Sequence, residues 1–102
     1  MSSPSAPRGT AAIVTGAAQG IGRAIALRLA QDGYNVAVND LASNAATLET
    51  LAAEITSHGR KAIVITGDVS QEQAVQALVD QTVADLGELY IVRMPNALAW
   101  KK

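Results

Sequence analysis

Between Thr10 and Val92 the hydrophobic positions alternate between two spacings. "TAAIVT" (10–15) is a continuous apolar run with glycines on either side, the pattern of a short strand covered on both faces. Ile21, Ile25 and Leu29 then recur every four residues with Ala24 beside them, which predicts a helix ended by Gly33. "NVAVND" (35–40) reads as a second strand. Leu48, Leu51, Ala52 and Ile55 stand at i, i+3, i+4 and i+7 and predict a second helix, capped by Ser43 or Asn44 and followed by Gly59. "KAIVIT" (61–66) is a third strand. Ser70 and Gln73 form an S-x-x-Q capping box. It opens a third helix with Val75, Leu78, Val79, Thr82, Val83 and Leu86 on its inner face and Gly87 at its end. "LYIV" (89–92) starts a fourth strand.

Strands alternating with helices across short connections predict an α/β fold with a parallel sheet. Right-handed crossovers then place helices on both faces, in three layers. The expected sheet has three to four strands, in the order 3-2-1-4 if the fourth forms, half of a doubly wound, Rossmann-like dinucleotide-binding fold. Residues 10–92 make up this domain. Residues 1–9, "MSSPSAPRG", carry two prolines and no apolar segment, and are expected to form a disordered arm. Residues 93–102 form an atypical tail.

Composition narrows the chemistry. The chain has 102 residues, 49% of them apolar but only 3% aromatic, so the core must be built from Ala, Val, Ile and Leu. A net charge of −1 provides no basic field, which argues against nucleic acid as a partner. There is no cysteine for a disulfide or a thiolate, and His58 is the only histidine, so a histidine-rich metal site is excluded. His58 stands at a helix end and is assigned no chemistry. Neither a secretory signal nor a run of about 20 apolar residues is present, and a cytoplasmic location without membrane association is the expectation.

The candidate chemistry sits in "IVTGAAQGIGRAIALRLA" (13–30), where three glycines separate the first strand from the first helix. Glycines in such a turn serve either the chain reversal alone or a ligand's phosphates. In the second case Gly16 allows the reversal, Gly20 lets backbone approach a pyrophosphate, and Gly22 lets the helix pack closely. Free N–H groups at the helix start would then hold the anion. Asp40 lies 18 residues after Gly22, near the spacing of the acid that binds an adenosine ribose. The alternative is a solvated acid at a strand end.

"TGAAQGIG" (15–22), with Asp40 at the end of the second strand and Asp68-Val69 after the third in "GDVS", resembles the short-chain dehydrogenases/reductases over residues 10–90. The resemblance implies a nicotinamide dinucleotide cofactor held by Gly16, Gln19, Gly20, Ile21, Gly22, Asp40, Asp68 and Val69. Asp40 would accept both ribose hydroxyls and repel a 2′-phosphate, favouring NAD over NADP. Gln19 fits the same choice, because NADP-preferring relatives often have a cation there. Arg23 can be read as a phosphate contact or as a surface arginine. Asp68 would meet the adenine amino group, with Val69 lining the adenine pocket; stabilising the nearby helix start is its other, compatible reading.

The resemblance fades from Val92. The family continues with Asn-Asn-Ala-Gly, whereas this chain reads "LYIVRMPNALAWKK", in which Asn96-Ala97 is shifted and Leu98 replaces the glycine. Arg93 and Pro95 suit a central strand poorly. Val92-Arg93-Met94 can be encoded GTA-CGT-ATG, whose first six bases resemble an intron donor site, so an unspliced intron would explain the tail. The family's catalytic serine and Tyr-x-x-x-Lys would lie beyond residue 102, and neither Tyr34 nor Tyr90 has a lysine four residues on. No catalytic residue carries over. The expected role is the dinucleotide-binding segment of an oxidoreductase, the chain alone being inactive. The alternatives are a non-catalytic nucleotide-binding or regulatory module and a non-functional truncation product. Association with itself or a full-length relative through an exposed sheet edge is the expected partner chemistry.

Overall fold

The computed structural model describes residues 10–93, and the arm expected over 1–9 and the tail from residue 94 lie outside the described residues. Four strands alternate with three helices: β1 (Ala11–Val14), α1 (Gly20–Gln31), β2 (Asn35–Asp40), α2 (Ala45–Ser57), β3 (Ala62–Thr66), α3 (Glu72–Leu86) and β4 (Leu89–Arg93). One further 3-10 turn, Ala42–Asn44, leads into α2. The strands form one parallel sheet in the order β3-β2-β1-β4, as the alternation predicts. The fourth strand runs one residue further than its apolar pattern, through Arg93.

The strands β1, β2 and β3 divide their side chains between two cores. Ala12 and Val14 of β1, with Val36 and Val38 of β2, pack against Ala26 and Ala30 of α1 and Leu48, Leu51 and Ile55 of α2. Ala11, Ile13 and Ala37 turn to the opposite face, where Leu78 and Leu86 of α3 cover them. Helices on both faces explain why β1 shows unbroken burial in place of alternation. Full burial of a side chain the size of Ile13 stabilises the fold by roughly 1.5–3 kcal/mol.

Two helices depart from the hydrophobic pattern. In α1 the buried positions are Gly22, Ala26 and Ala30, one residue along from the predicted stripe. Ile25 and Leu29 only flank this line, and Ile21 is 73% exposed. Small residues bring the helix axis close to the sheet, so the larger aliphatics fall to either side. In α3, Val75, Leu78, Thr82 and Leu86 are buried as expected, but Val79 is half-buried and Val83 is exposed. Among the described residues α3 is the only helix on its face of the sheet, so no neighbouring helix covers Val83 and the buried stripe is narrower than the run of valines suggests.

The capping expectations also change. The α3 N-cap is Gln71, whose side chain makes no capping bond, and Ser70 turns back to Asp68. Asn44 does occupy the α2 N-cap, but its amide donates to Asp40 and leaves the helix uncapped by a side chain. In both cases an ionised carboxylate outcompetes a neutral capping bond. Among the described residues, no helix is long and apolar enough to cross a membrane.

Candidate functional site

The C-terminal ends of β1, β2 and β3 converge on a groove of about 190 Å³ lined by Thr15, Gly16, Asn39, Asp40, Leu41, Gly67, Asp68 and Val69. Chain direction places it there: in a parallel sheet every strand ends at the same side, and the loops leaving those ends share one crevice.

The glycine turn forms one wall. Gly16 and Gly20 have φ of 64° and 65°, a left-handed backbone that disfavours any side chain. A Cβ on Gly22 would lie 2.2 Å from the Gly16 carbonyl oxygen, so this position admits only glycine while the turn keeps its shape. The close approach is helix to turn. A Cβ on Gly20 would meet nothing within 4 Å. That position needs glycine for its backbone, and it borders open space. Gln19, the α1 N-cap, is exposed and makes no side-chain capping bond, and the first turn of α1 carries no acid. The helix start therefore keeps its partial positive charge and its N–H donors for an anion.

Asp40 ties this wall to the second strand. Its Oδ2 accepts the Ala18 N–H at 3.0 Å, and its Oδ1 accepts the Leu41 N–H at 2.8 Å and the Asn44 amide at 3.0 Å. Partial burial pushes its pKa up, but the bonds from Leu41, Ala18 and Asn44 together outweigh this and hold it below the usual carboxylate range. Asp40 is therefore a fixed, ionised acceptor. Asp68, on the opposite side, is exposed and also lowered, first by the Ser70 N–H and then by the Ser70 hydroxyl.

Asn39, which the sequence pattern does not single out, joins the two walls. It is 2% exposed, and its backbone carbonyl accepts the Ala17 N–H at 2.9 Å. Its side-chain amide donates to the Ile65 carbonyl at 2.9 Å and the Gly67 carbonyl at 3.4 Å. The Gly67 N–H in turn donates to the Asp40 carbonyl at 3.0 Å. One residue of β2 thus holds the turn after β1 and the loop after β3. A polar residue at the end of an otherwise apolar strand is the available signal.

Of the eight residues expected at the site, Gly16, Asp40, Asp68 and Val69 line the groove. Gln19, Gly20 and Ile21 are exposed beside it, and Gly22 is buried beneath the turn. Thr15, Asn39, Leu41 and Gly67 also line it; Thr15 and Gly67 open the TGAAQGIG and GDVS motifs without being singled out there, and Asn39 and Leu41 only flank Asp40. Arg23 ion-pairs with Glu54 of α2, which accounts for it as a bridge between helices.

A family model described as short chain dehydrogenase matches residues 10–98. The chain belongs to the short-chain dehydrogenase family. It is 62% identical over 78 residues to a short-chain dehydrogenase/reductase of Hericium erinaceus, covering 74% of this chain and 31% of that protein. A short-chain dehydrogenase/reductase of Armillaria gallica is 51% identical over 92 residues, 90% of this chain and 35% of the relative. Among solved structures, a dehydrogenase/reductase from Sinorhizobium meliloti 1021 superposes with a TM-score of 0.81 at 35% identity, over 87% of this chain and 35% of that one. A blue fluorescent protein from a metagenomic library, in complex with NADPH, superposes with a TM-score of 0.78 at 35% identity, over 83% of this chain and 35% of that one. The chain spans about a third of the length of each of these proteins.

Proposed function

We propose that this segment holds the adenosine and pyrophosphate part of a nicotinamide dinucleotide, with NAD preferred to NADP, for a protein that moves hydride between that cofactor and a carbonyl or alcohol. The residues fit such a group. The space beside Gly20 and the uncapped start of α1 suit a pyrophosphate, and the groove beyond them suits a nucleoside.

The observation that carries the NAD preference is Asp40. Its carboxylate is ionised, fixed by three donors and set in the groove wall. A ribose 2′-hydroxyl can donate to it, whereas a 2′-phosphate in the same place meets a like charge. Leu41 follows with an exposed apolar side chain and provides no compensating cation, and Arg23 is already engaged by Glu54. Leu41 and Val69, both lining the groove, supply apolar surface for the flat faces of the adenine, and Asp68 accepts from its amino group. When bound, the cofactor would supply the hydride; the residues described here bind and orient it.

Titration calorimetry of the 102-residue chain with NAD and NADP tests this reading. NAD should bind more tightly, and Asp40→Asn should narrow the gap by about tenfold, the worth of one charge-assisted interaction. Equal affinities in the parent chain, or a gap unchanged in Asp40→Asn, would remove the basis for the preference. We expect no turnover of NADH with small carbonyls by the 102-residue chain, since no Tyr-x-x-x-Lys occurs within it. Measurable turnover lost on changing Gly20 to a bulky residue would contradict that.

A further inference from the structure

The S-x-x-Q pattern places Ser70 at the cap of α3, yet that helix begins two residues later and Ser70 takes no part in its cap. Instead both of its donors converge on one atom: the Ser70 N–H and hydroxyl donate to Asp68 Oδ1 at 2.9 and 2.7 Å. Among the described residues no donor meets the other oxygen, Oδ2. Asp68 is exposed and lines the groove, a setting in which a carboxylate would ordinarily move among its rotamers.

We propose that Ser70 is a positioning residue for base recognition: by occupying Oδ1 twice it fixes the Asp68 carboxylate and reserves Oδ2 as the acceptor for the amino group of adenine. The proposal rests on the placement of adenine beside Asp68 in the proposed function. Two consequences follow from the chemistry. Ordering the carboxylate beforehand removes a rotamer cost from binding. An ionised oxygen held at a fixed place accepts from the 6-amino group of adenine but repels the 6-oxo group of hypoxanthine, so the arrangement selects the base as well as binding it. Asp68 is ionised across the neutral range, and the Ser70 donors hold its pKa below the usual carboxylate range.

The test compares NAD with nicotinamide hypoxanthine dinucleotide by calorimetry on the 102-residue chain and on Ser70→Ala, Ser70→Thr and Asp68→Asn. Ser70 is exposed, so its variants should fold as the parent does, and a matching melting curve checks this. The ratio of the two affinities is the readout, because general destabilisation weakens both ligands alike. The parent should prefer the adenine form by about tenfold or more, the scale of one charged hydrogen bond. Ser70→Ala should reduce that ratio several-fold towards the Asp68→Asn value, and Ser70→Thr, which keeps the hydroxyl, should preserve it. If Asp68→Asn abolishes the preference while Ser70→Ala retains it, Ser70 does not position the acid, although the adenine reading stands. A threonine variant that behaves like the alanine one also rules out positioning by the Ser70 hydroxyl. If Asp68→Asn leaves the preference intact, or the parent chain binds neither dinucleotide, the adenine reading fails and the proposal with it.

Discussion

Gly22 shows how a single hydrogen atom in place of a side chain can decide the geometry of a site. With the Gly16 carbonyl 2.2 Å from where its Cβ would stand, Gly22→Ala must push the turn away from the helix. We expect a loss of about 1–3 kcal/mol in denaturant unfolding, the usual cost of overpacking, together with loss of dinucleotide binding. Gly20→Ala should behave differently. Nothing obstructs its Cβ, so the cost is the left-handed backbone alone, about 1–2 kcal/mol, while binding should be lost because the methyl group enters the space proposed for the phosphates. If binding survives in Gly20→Ala, that space is not where the anion lies. Asn39→Ala removes two donors from the Ile65 and Gly67 carbonyls and should cost about 1–3 kcal/mol. A melting temperature equal to the parent's would show that Asn39 does not hold the loops. The glycine turn and the place of Asp40 in the groove are legible in the sequence because glycines after a first strand and an acid at the end of the second mark the strand ends of such a fold. Asn39 is not, because an asparagine within a strand pattern does not reveal which neighbouring carbonyls it will reach.

The helices show where periodicity informs and where it misleads. In α2 the apolar spacing and the buried face coincide, since Leu48, Leu51 and Ile55 are the largest apolar residues of that stretch and are buried together with Ala52. In α1 the contact line is Gly22, Ala26 and Ala30, because close packing on the sheet selects for small residues, and apolarity alone does not distinguish contact from flank. The cap of α3 departs from its pattern for a different reason: the S-x-x-Q box competes with Asp68, and charge decides the contest. Arg23, which sequence leaves open between phosphate and surface, bridges α1 and α2 through Glu54. Both partners are more than a third exposed, so Arg23→Ala should change stability by less than about 1 kcal/mol. It should also leave the ratio of NAD to NADP affinity where it was. A marked fall in NADP affinity in that variant would return Arg23 to the cofactor.

At the scale of the whole molecule, the sheet order and both cores follow from the alternation of strand and helix, and the site follows from the sheet order. Exchanging β1 and β2 would take Asn39 out from between the glycine turn and the loop after β3, which it joins in the observed order. Acidity acts on this assembly in one direction. Asp40 binds protons less readily in the folded chain than in the unfolded one, so its contribution to stability is present at neutral pH and above the usual carboxylate range. It is lost as pH falls through the lowered folded value. We therefore expect melting temperature to hold down to about pH 4 and to decline below it. Asp40→Asn should show a shallower decline, and a decline as steep as the parent's would place the acid sensitivity elsewhere. The central claim remains that three strand ends build a cradle for a dinucleotide. The most direct measurement is calorimetric titration of the 102-residue chain with NAD, beside Gly22→Ala and Asp40→Asn. Saturable binding, lost in the first variant and weakened about tenfold in the second, is the predicted result. Absence of binding, or binding indifferent to both substitutions, would contradict it.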